Sequence, residues 1–262
     1  MSISKLKSRI KSFRDRDGIA VMPFVAAGFP DLETSLTLIP ALERGGAAAI
    51  EVGFPFSDPI ADGPTIQEAF TIALQKKLRI DDIFAGIERI KAQITIPLVA
   101  MVSYSIVYRY GLEKFVNRAH QAGFTGLLLP DLPPPEADLI CRKVQELGLE
   151  TVLLVSPSTS AERLGKVVSL CSGFVYYLSV AGITGERDKL PPGIEENVRK
   201  IKSISKVPVC VGFGISTPAH VRQLAGVADG AIVGSALVRR IKEAKTDLPA
   251  AAEAYCRELV GK

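Results

Sequence analysis

The chain has 262 residues, 47% of them hydrophobic and 23% charged, enough apolar material for one large core or two small ones. Its net charge of +4 is small, and its basic residues are interspersed with acidic ones. That balance excludes a Lys/Arg stripe of the kind that grips nucleic acid, while a small anionic ligand stays compatible with it.

From the N-terminus, residues 2–13 read as a charged helix without the apolar stretch of a signal peptide, and no long apolar run suited to a membrane span follows. No membrane contact is expected, and the cytoplasm is the expected compartment. "IAVMPFVAAG" then reads as a strand and "LETSLTLIPALERGG" as a helix stopped by glycine. "AAAIEVG" is a strand, "TIQEAFTIALQKK" a helix, "IPLVAMVSY" a strand and "LEKFVNRAHQAG" a helix. The alternation continues through "TGLLLPD", "EADLICRKVQELG", "TVLLVSP", "AERLGKVVSLC", "FVYYLSV", "VPVCVG" and "GAIVG", and the C-terminal "DLPAAAEAYCRELVGK" reads as a last helix. Strands apolar on both faces and separated by helices pair in parallel through right-handed crossovers. Eight such units in this length predict one α/β domain over 1–262, a (β/α)8 TIM barrel with an N-terminal cap helix beneath it and an extra C-terminal helix. No linker or low-complexity tract divides the chain.

Ligands of such barrels bind where strands end. After strands six to eight stand "SVAGITGERD", "VGFGIST" and "GAIVGSAL", in which Gly182, Gly185, Gly212, Gly214 and Gly234 allow close backbone approach and Ser235 opens the last barrel helix. Amides freed of side chains and a helix N-terminus form a phosphate cradle; the alternative is that these glycines only make tight turns. In strand two, alternation puts Ala49, Glu51 and Gly53 on one face and Ala48, Ile50 and Val52 on the other, so Glu51 is expected inside the barrel near its mouth. An apolar setting would raise its pKa and suit it to proton transfer; the alternative is a buried ion pair, although the strand cores contain no Lys or Arg. Asp58 and Asp62 follow in a Pro-rich loop, where Asp62 either serves the site or makes a turn ahead of the helix at Thr65.

His120 and His220 fall on helices, and Cys141, Cys171, Cys210 and Cys256 are scattered without a C-x-x-C pair, so no metal site or nucleophilic triad is expected. No lysine stands at a strand end for Schiff-base chemistry. What the residues leave is proton transfer by carboxylates on a phosphorylated compound.

"IEVGFPFSDPIADGP" resembles the signature of the tryptophan synthase alpha chain family. "MPFVAAGFPD", "PDLPPPE", "YYLSVAGITG", "VGFGIS" and "GAIVGSALV" extend the likeness in order over nearly the whole chain. The resemblance implies a lyase of tryptophan biosynthesis that cleaves indole-3-glycerol phosphate to indole and glyceraldehyde 3-phosphate. It implies Glu51 as proton shuttle, Asp62 as the ionised acceptor of the indole N–H, and Tyr176 near the reacting side chain. Adjacent Tyr177 points to the other strand face, where core packing is its expected role. Gly185, Gly214, Gly234 and Ser235 match phosphate-binding positions, Phe24 and Phe213 apolar contacts, and Thr184 a loop residue that meets the catalytic Asp on closure. Residues 180–194 match a lid, or form a long surface connection.

The implied partner is a beta chain that carries pyridoxal phosphate in an α2β2 complex, with no cofactor in this chain. Contact is expected at "PFSDPIADGP" and "PDLPPPE". Ser103 and Ser105 depart from the aromatic and Asn usual in the family at the indole wall and the partner face. Two other readings remain: a barrel isomerase or epimerase on another sugar phosphate, and a barrel acting mainly as an activating partner. An indole site needs Phe24, Met101 and Phe213 to converge, whereas an epimerase needs polar contacts for hydroxyls.

Overall fold

Each of the eight apolar runs forms a parallel strand: β1 (Ala20–Ala26), β2 (Ile50–Gly53), β3 (Leu98–Met101), β4 (Gly126–Leu128), β5 (Glu150–Val155), β6 (Phe174–Leu178), β7 (Val209–Gly212) and β8 (Gly230–Val233). They pair in sequence order, and β8 closes on β1 with Ala20 opposite Gly230. The computed structural model describes residues 5–58, 62–179, 193–212, 214–244 and 246–262.

Twelve α-helices stand among the described residues: α1 (Lys5–Asp17), α2 (Leu32–Arg44), α3 (Pro64–Gln75), α4 (Ile80–Ile90), α5 (Tyr104–Tyr110), α6 (Leu112–Ala122), α7 (Ala137–Glu146), α8 (Ala161–Leu170), α9 (Ile194–Ile204), α10 (Pro218–Leu224), α11 (Ser235–Glu243) and α12 (Leu248–Val260). Sequence patterning does not single out α4, α5 or α9, while α10 holds His220 on a helix as expected. Segment 104–110 is rich in Tyr, Val and Ile and reads as the end of a strand. It is a helix because Ser103 caps its N-terminus and Gly111, at φ +92°, turns the chain at its C-terminus.

Strand alternation divides the apolar residues into two layers. Ile50, Val52, Val175 and Tyr177 pack outward against the helices, while Met22, Val99, Val152, Phe174, Tyr176, Cys210 and Ile232 fill the barrel. The packing expected for Tyr177 is therefore found in the outer layer. Ala48 departs from the alternation: it packs with the inner set rather than under the helices, because the regular strand begins only at Ile50.

Helix α1 is the cap beneath the barrel. Its Leu6 and Ile10 are fully buried among the inner residues, and Glu150 of β5 accepts hydrogen bonds from the N–H groups of Lys5 (2.7 Å) and Leu6 (3.2 Å). Gly126 leaves room for Leu6, since a Cβ there would stand 2.7 Å from its Cδ1. Helix α12 lies against the end of α2, where a Cβ on Gly45 would stand 2.7 Å from the Cβ of Cys256. With the floor plugged, the strand C-termini form the one end of the barrel left to hold a ligand.

Candidate active site

At that end β1 and β2 set Phe24 opposite Glu51, and β2 and β3 set Gly53 opposite Met101. A side chain at position 53 would collide with the Phe24 ring, so glycine is what lets Phe24 lie across the mouth. Glu51 points inward, as alternation requires, and is only 6% exposed. No cation pairs with it among the described residues, and its Oε1 has no hydrogen-bond partner there. Burial, and secondarily the charge of Asp62, push its pKa from 4.5 up to about 8.

Asp62 does not cap the following helix. Gly63 occupies the N-cap with no side-chain bond and Pro64 takes the first helical position, one residue before the expected start at Thr65. The Asp62 carbonyl accepts from Gln67 Nε2 at 2.7 Å, while its partly buried carboxyl lines the same cavity as Glu51, and burial raises its pKa from 3.8 to about 6. Two carboxyls in one cavity are thereby set apart, one chiefly protonated at neutral pH and the other chiefly ionised. Asp58 is exposed and accepts from Ser57 Oγ at 2.8 Å.

Tyr176 reaches the cavity from β6, and its phenol is held well above 10, first by burial and then by the nearness of Glu51 and Asp62. Gly212, read from sequence as a site of close amide approach, instead makes room for this ring: a Cβ there would collide with the Tyr176 hydroxyl.

The cavity and its open mouth together span about 710 Å³ of space between the atoms, part of it open to solvent. At the ends of β7 and β8, Gly214, Gly234 and Ser235 also line it. Gly214 has φ +77°, a backbone state that favours glycine. Gly234 is the N-cap of α11 and makes no side-chain cap, so the first amides of α11 lack carbonyl partners from their own helix. A Cβ at 234 would meet only ordinary contacts, 3.5 Å from Ile66 Cδ1 and 3.8 Å from Phe24 Cβ, so the protein does not itself require glycine there. Among the described lining residues there is no Lys or Arg. An anion at this end would rest on backbone N–H groups and the helix dipole.

The family model described as "Tryptophan synthase alpha chain" matches residues 10–260. The chain belongs to the tryptophan synthase alpha chain family. The alpha chain of Methanothermobacter thermautotrophicus is 44% identical over 239 residues, covering 91% of this chain and 88% of the relative. That of Thermosynechococcus vestitus is 40% identical, covering 99% and 97%. Among solved structures, tryptophan synthase from Mycobacterium tuberculosis superposes with a TM-score of 0.90 at 37% identity over 99% of this chain and 98% of that one. A mutant alpha-subunit from Pyrococcus furiosus gives 0.87 at 36% identity, over 94% and 99%.

Glu51, Asp62, Tyr176, Phe24, Met101, Gly214, Gly234 and Ser235 converge on one cavity. Thr184, Gly185, Phe213 and most of the expected lid over 180–194 lie outside the described residues. Ile66, Leu128, Leu154, Leu178 and Ile232 also line the cavity, beyond the residues that the sequence motifs mark. The strand residues among them could have been found by carrying the inward parity of Glu51 around the barrel, since Leu154 pairs with Tyr176 and Leu128 with Met101.

A second cavity shares Asp62, Met101 and Pro130 with the first and extends to Ser103, Asp131 and Arg163. Ser103 and Ser105, the departures from the family pattern, belong to a bridge between two loops here. Ser103 Oγ donates to Asp131 at 2.6 Å and lies 2.8 Å from Ser105 Oγ, and Tyr104 N–H donates to Asp131 at 2.6 Å. The Tyr104 hydroxyl also donates to Glu136, so α5 is bound to the segment that leads into α7.

Proposed function

We propose that this chain cleaves indole-3-glycerol phosphate to indole and glyceraldehyde 3-phosphate by the residues gathered at the barrel mouth. The observation that carries this reading is Glu51, a buried carboxyl without a cation or a partner for Oε1 among the described residues, in one cavity with the open N-terminus of α11. A carboxyl with a pKa of about 8 holds its proton at neutral pH and can give it to the indole ring at C3. The ring then carries positive charge, and ionised Asp62 accepts the hydrogen bond of its N–H and stabilises that charge. Glu51, now a carboxylate, takes the proton of the side-chain hydroxyl; the bond to C3 breaks, its electrons restore the aromatic ring, and an aldehyde leaves. The carboxyl ends as it began.

Phe24, Met101, Leu128, Leu154 and Ile232 offer an apolar wall for the indole ring. The same wall gives few partners for the hydroxyls of an epimerase substrate, which weighs against that alternative. The phosphate would sit on the amides of Gly214, Gly234 and Ser235, with Gly185 as a further contact, Thr184 meeting Asp62, Phe213 against the ring, and 180–194 as the lid. Tyr176 would pack beside the reacting side chain.

The partner in this reading is a tryptophan synthase beta chain in an α2β2 assembly, and pyridoxal phosphate belongs to that chain. Tyr108 on α5 and Leu139 on α7 are each 72% exposed beside the Tyr104–Glu136 bridge, and support contact at this face of the mouth. We further read residues 1–262 as one domain working in the cytoplasm. No helix among the described residues is long and apolar enough to cross a membrane.

The test is to incubate the purified chain alone with indole-3-glycerol phosphate and quantify both products. Slow release of indole and glyceraldehyde 3-phosphate in equal amounts is expected, and added beta chain should stimulate it. No cleavage by the isolated chain would leave it an activating subunit only.

A further inference from the structure

The loop after β7 is held by its backbone from outside the cavity. Gly214 and Ile215 line the cavity, and Thr217 caps α10, so Ser216 joins the ligand side of the loop to the helix. Both backbone polar groups of Ser216 are engaged by buried side chains. Its carbonyl accepts from the Tyr255 hydroxyl of α12 at 2.7 Å, and its N–H donates to His220 Nδ1 of α10 at 3.3 Å. Tyr255 is 4% exposed and His220 3%, and neither lines the cavity. The guanidinium of Arg240 lies over the Tyr255 ring, 5.0 Å from its centroid. One tyrosine thus touches both the β7 loop and α11, the helix that begins at Ser235.

An anion seat whose described residues include no Lys or Arg depends on the direction of its amides, because hydrogen bonds weaken steeply with poor angle and distance. Its backbone must therefore be fixed by surrounding groups. We infer that Tyr255 and His220 are positioning residues for the phosphate end of the site, clamping Ser216 so that Gly214 and Ile215 meet the ligand in register with the start of α11. This rests on reading that end of the cavity as the phosphate seat.

The experiment compares Tyr255→Phe, His220→Leu, His220→Asn and Gly234→Asp in the full chain, with glycerol 3-phosphate and indole as separate probes. Loss of one hydrogen bond predicts a three- to ten-fold weakening, roughly, of glycerol 3-phosphate binding and a matching rise in KM for Tyr255→Phe and His220→Leu. Indole binding and kcat should stay near wild type. His220→Asn, whose amide oxygen can accept where Nδ1 does, should recover much of the loss. Unchanged glycerol 3-phosphate binding in Tyr255→Phe and His220→Leu would overturn the clamp, as would equal weakening toward both probes. Aspartate suits an N-cap and repels phosphate, so Gly234→Asp should fold yet bind no glycerol 3-phosphate. Wild-type-like binding in Gly234→Asp would overturn the seat itself, whereas its loss with both clamp variants unaffected would overturn only the clamp.

Discussion

The mouth and the floor of the barrel each bury an acidic side chain, and they treat it in opposite ways. At the floor Asp229, which directly precedes β8, accepts from Arg14 and Lys202, each at 3.0 Å, and from the Val209 N–H at 2.8 Å. It joins α1, α9 and β7 at the point where the cap helix meets the sheet. At the mouth Glu51 is also buried and has no such company among the described residues. Burial of an acid is therefore not by itself a sign of chemistry. Burial without compensation is the sign, because a group left short of partners destabilises the fold and is retained for what its proton can do.

The sharpest way to break this contrast is to remove the carboxyls at the mouth. Glu51→Gln and Asp62→Asn should each lower indole formation on the order of a thousand-fold, while binding of glycerol 3-phosphate persists. Turnover close to wild type in either variant would remove that residue from the mechanism. At the floor, Asp229→Ala should lower unfolding stability by about 2 to 4 kcal/mol in denaturant titration, with kcat of the folded fraction little changed. The figure lies below that of a fully buried pair because Arg14 and Lys202 keep 37% and 34% of their side chains exposed.

The opposite sign of stability effect is expected for Glu51. In the unfolded chain this carboxyl ionises near 4.5 and in the fold at about 8, so across that window the unfolded state has released a proton that the folded state keeps. Wild-type stability should fall as pH rises from about 4.5 to about 8, by an amount on the order of a few kcal/mol, and Glu51→Gln should flatten that slope. An unchanged slope would mean that Glu51 finds compensation. The same two carboxyls predict that kcat/KM rises through about pH 6 as Asp62 ionises and falls through about pH 8 as Glu51 loses its proton. Smallest of all, Arg14→Gln alone should cost about 1 kcal/mol or less, since Lys202 still pairs with Asp229.

How far sequence carries differs between the same two regions. The barrel was legible because eight apolar runs alternate with amphipathic helices, and Glu51 because a lone acid in an apolar strand with inward parity has few bland explanations. Asp62 is ambiguous in sequence, since an acid before "GPT" suits a turn as well as a site; in the structure Gly63 and Pro64 begin α3 without its carboxyl, which lines the cavity. Gly212 reads as a place for amides but accommodates a ring from the neighbouring strand, a contact that only β6–β7 pairing creates. The floor was the least legible. Asp229 meets Arg14 across 215 positions of sequence, and no local pattern announces such a pair. Helix α5 was hidden for another reason: its β-branched and aromatic residues favour a strand until Ser103 and Gly111 define its ends.

The protonation state of Glu51 is the most direct test. Infrared difference spectra of wild type minus Glu51→Gln, titrated across neutral pH, would report a protonated carboxyl as its C=O stretch. The account predicts that this band is present at pH 7 and half lost near pH 8. A carboxylate already ionised at pH 6 would contradict it, because no proton would then stand ready for the indole ring.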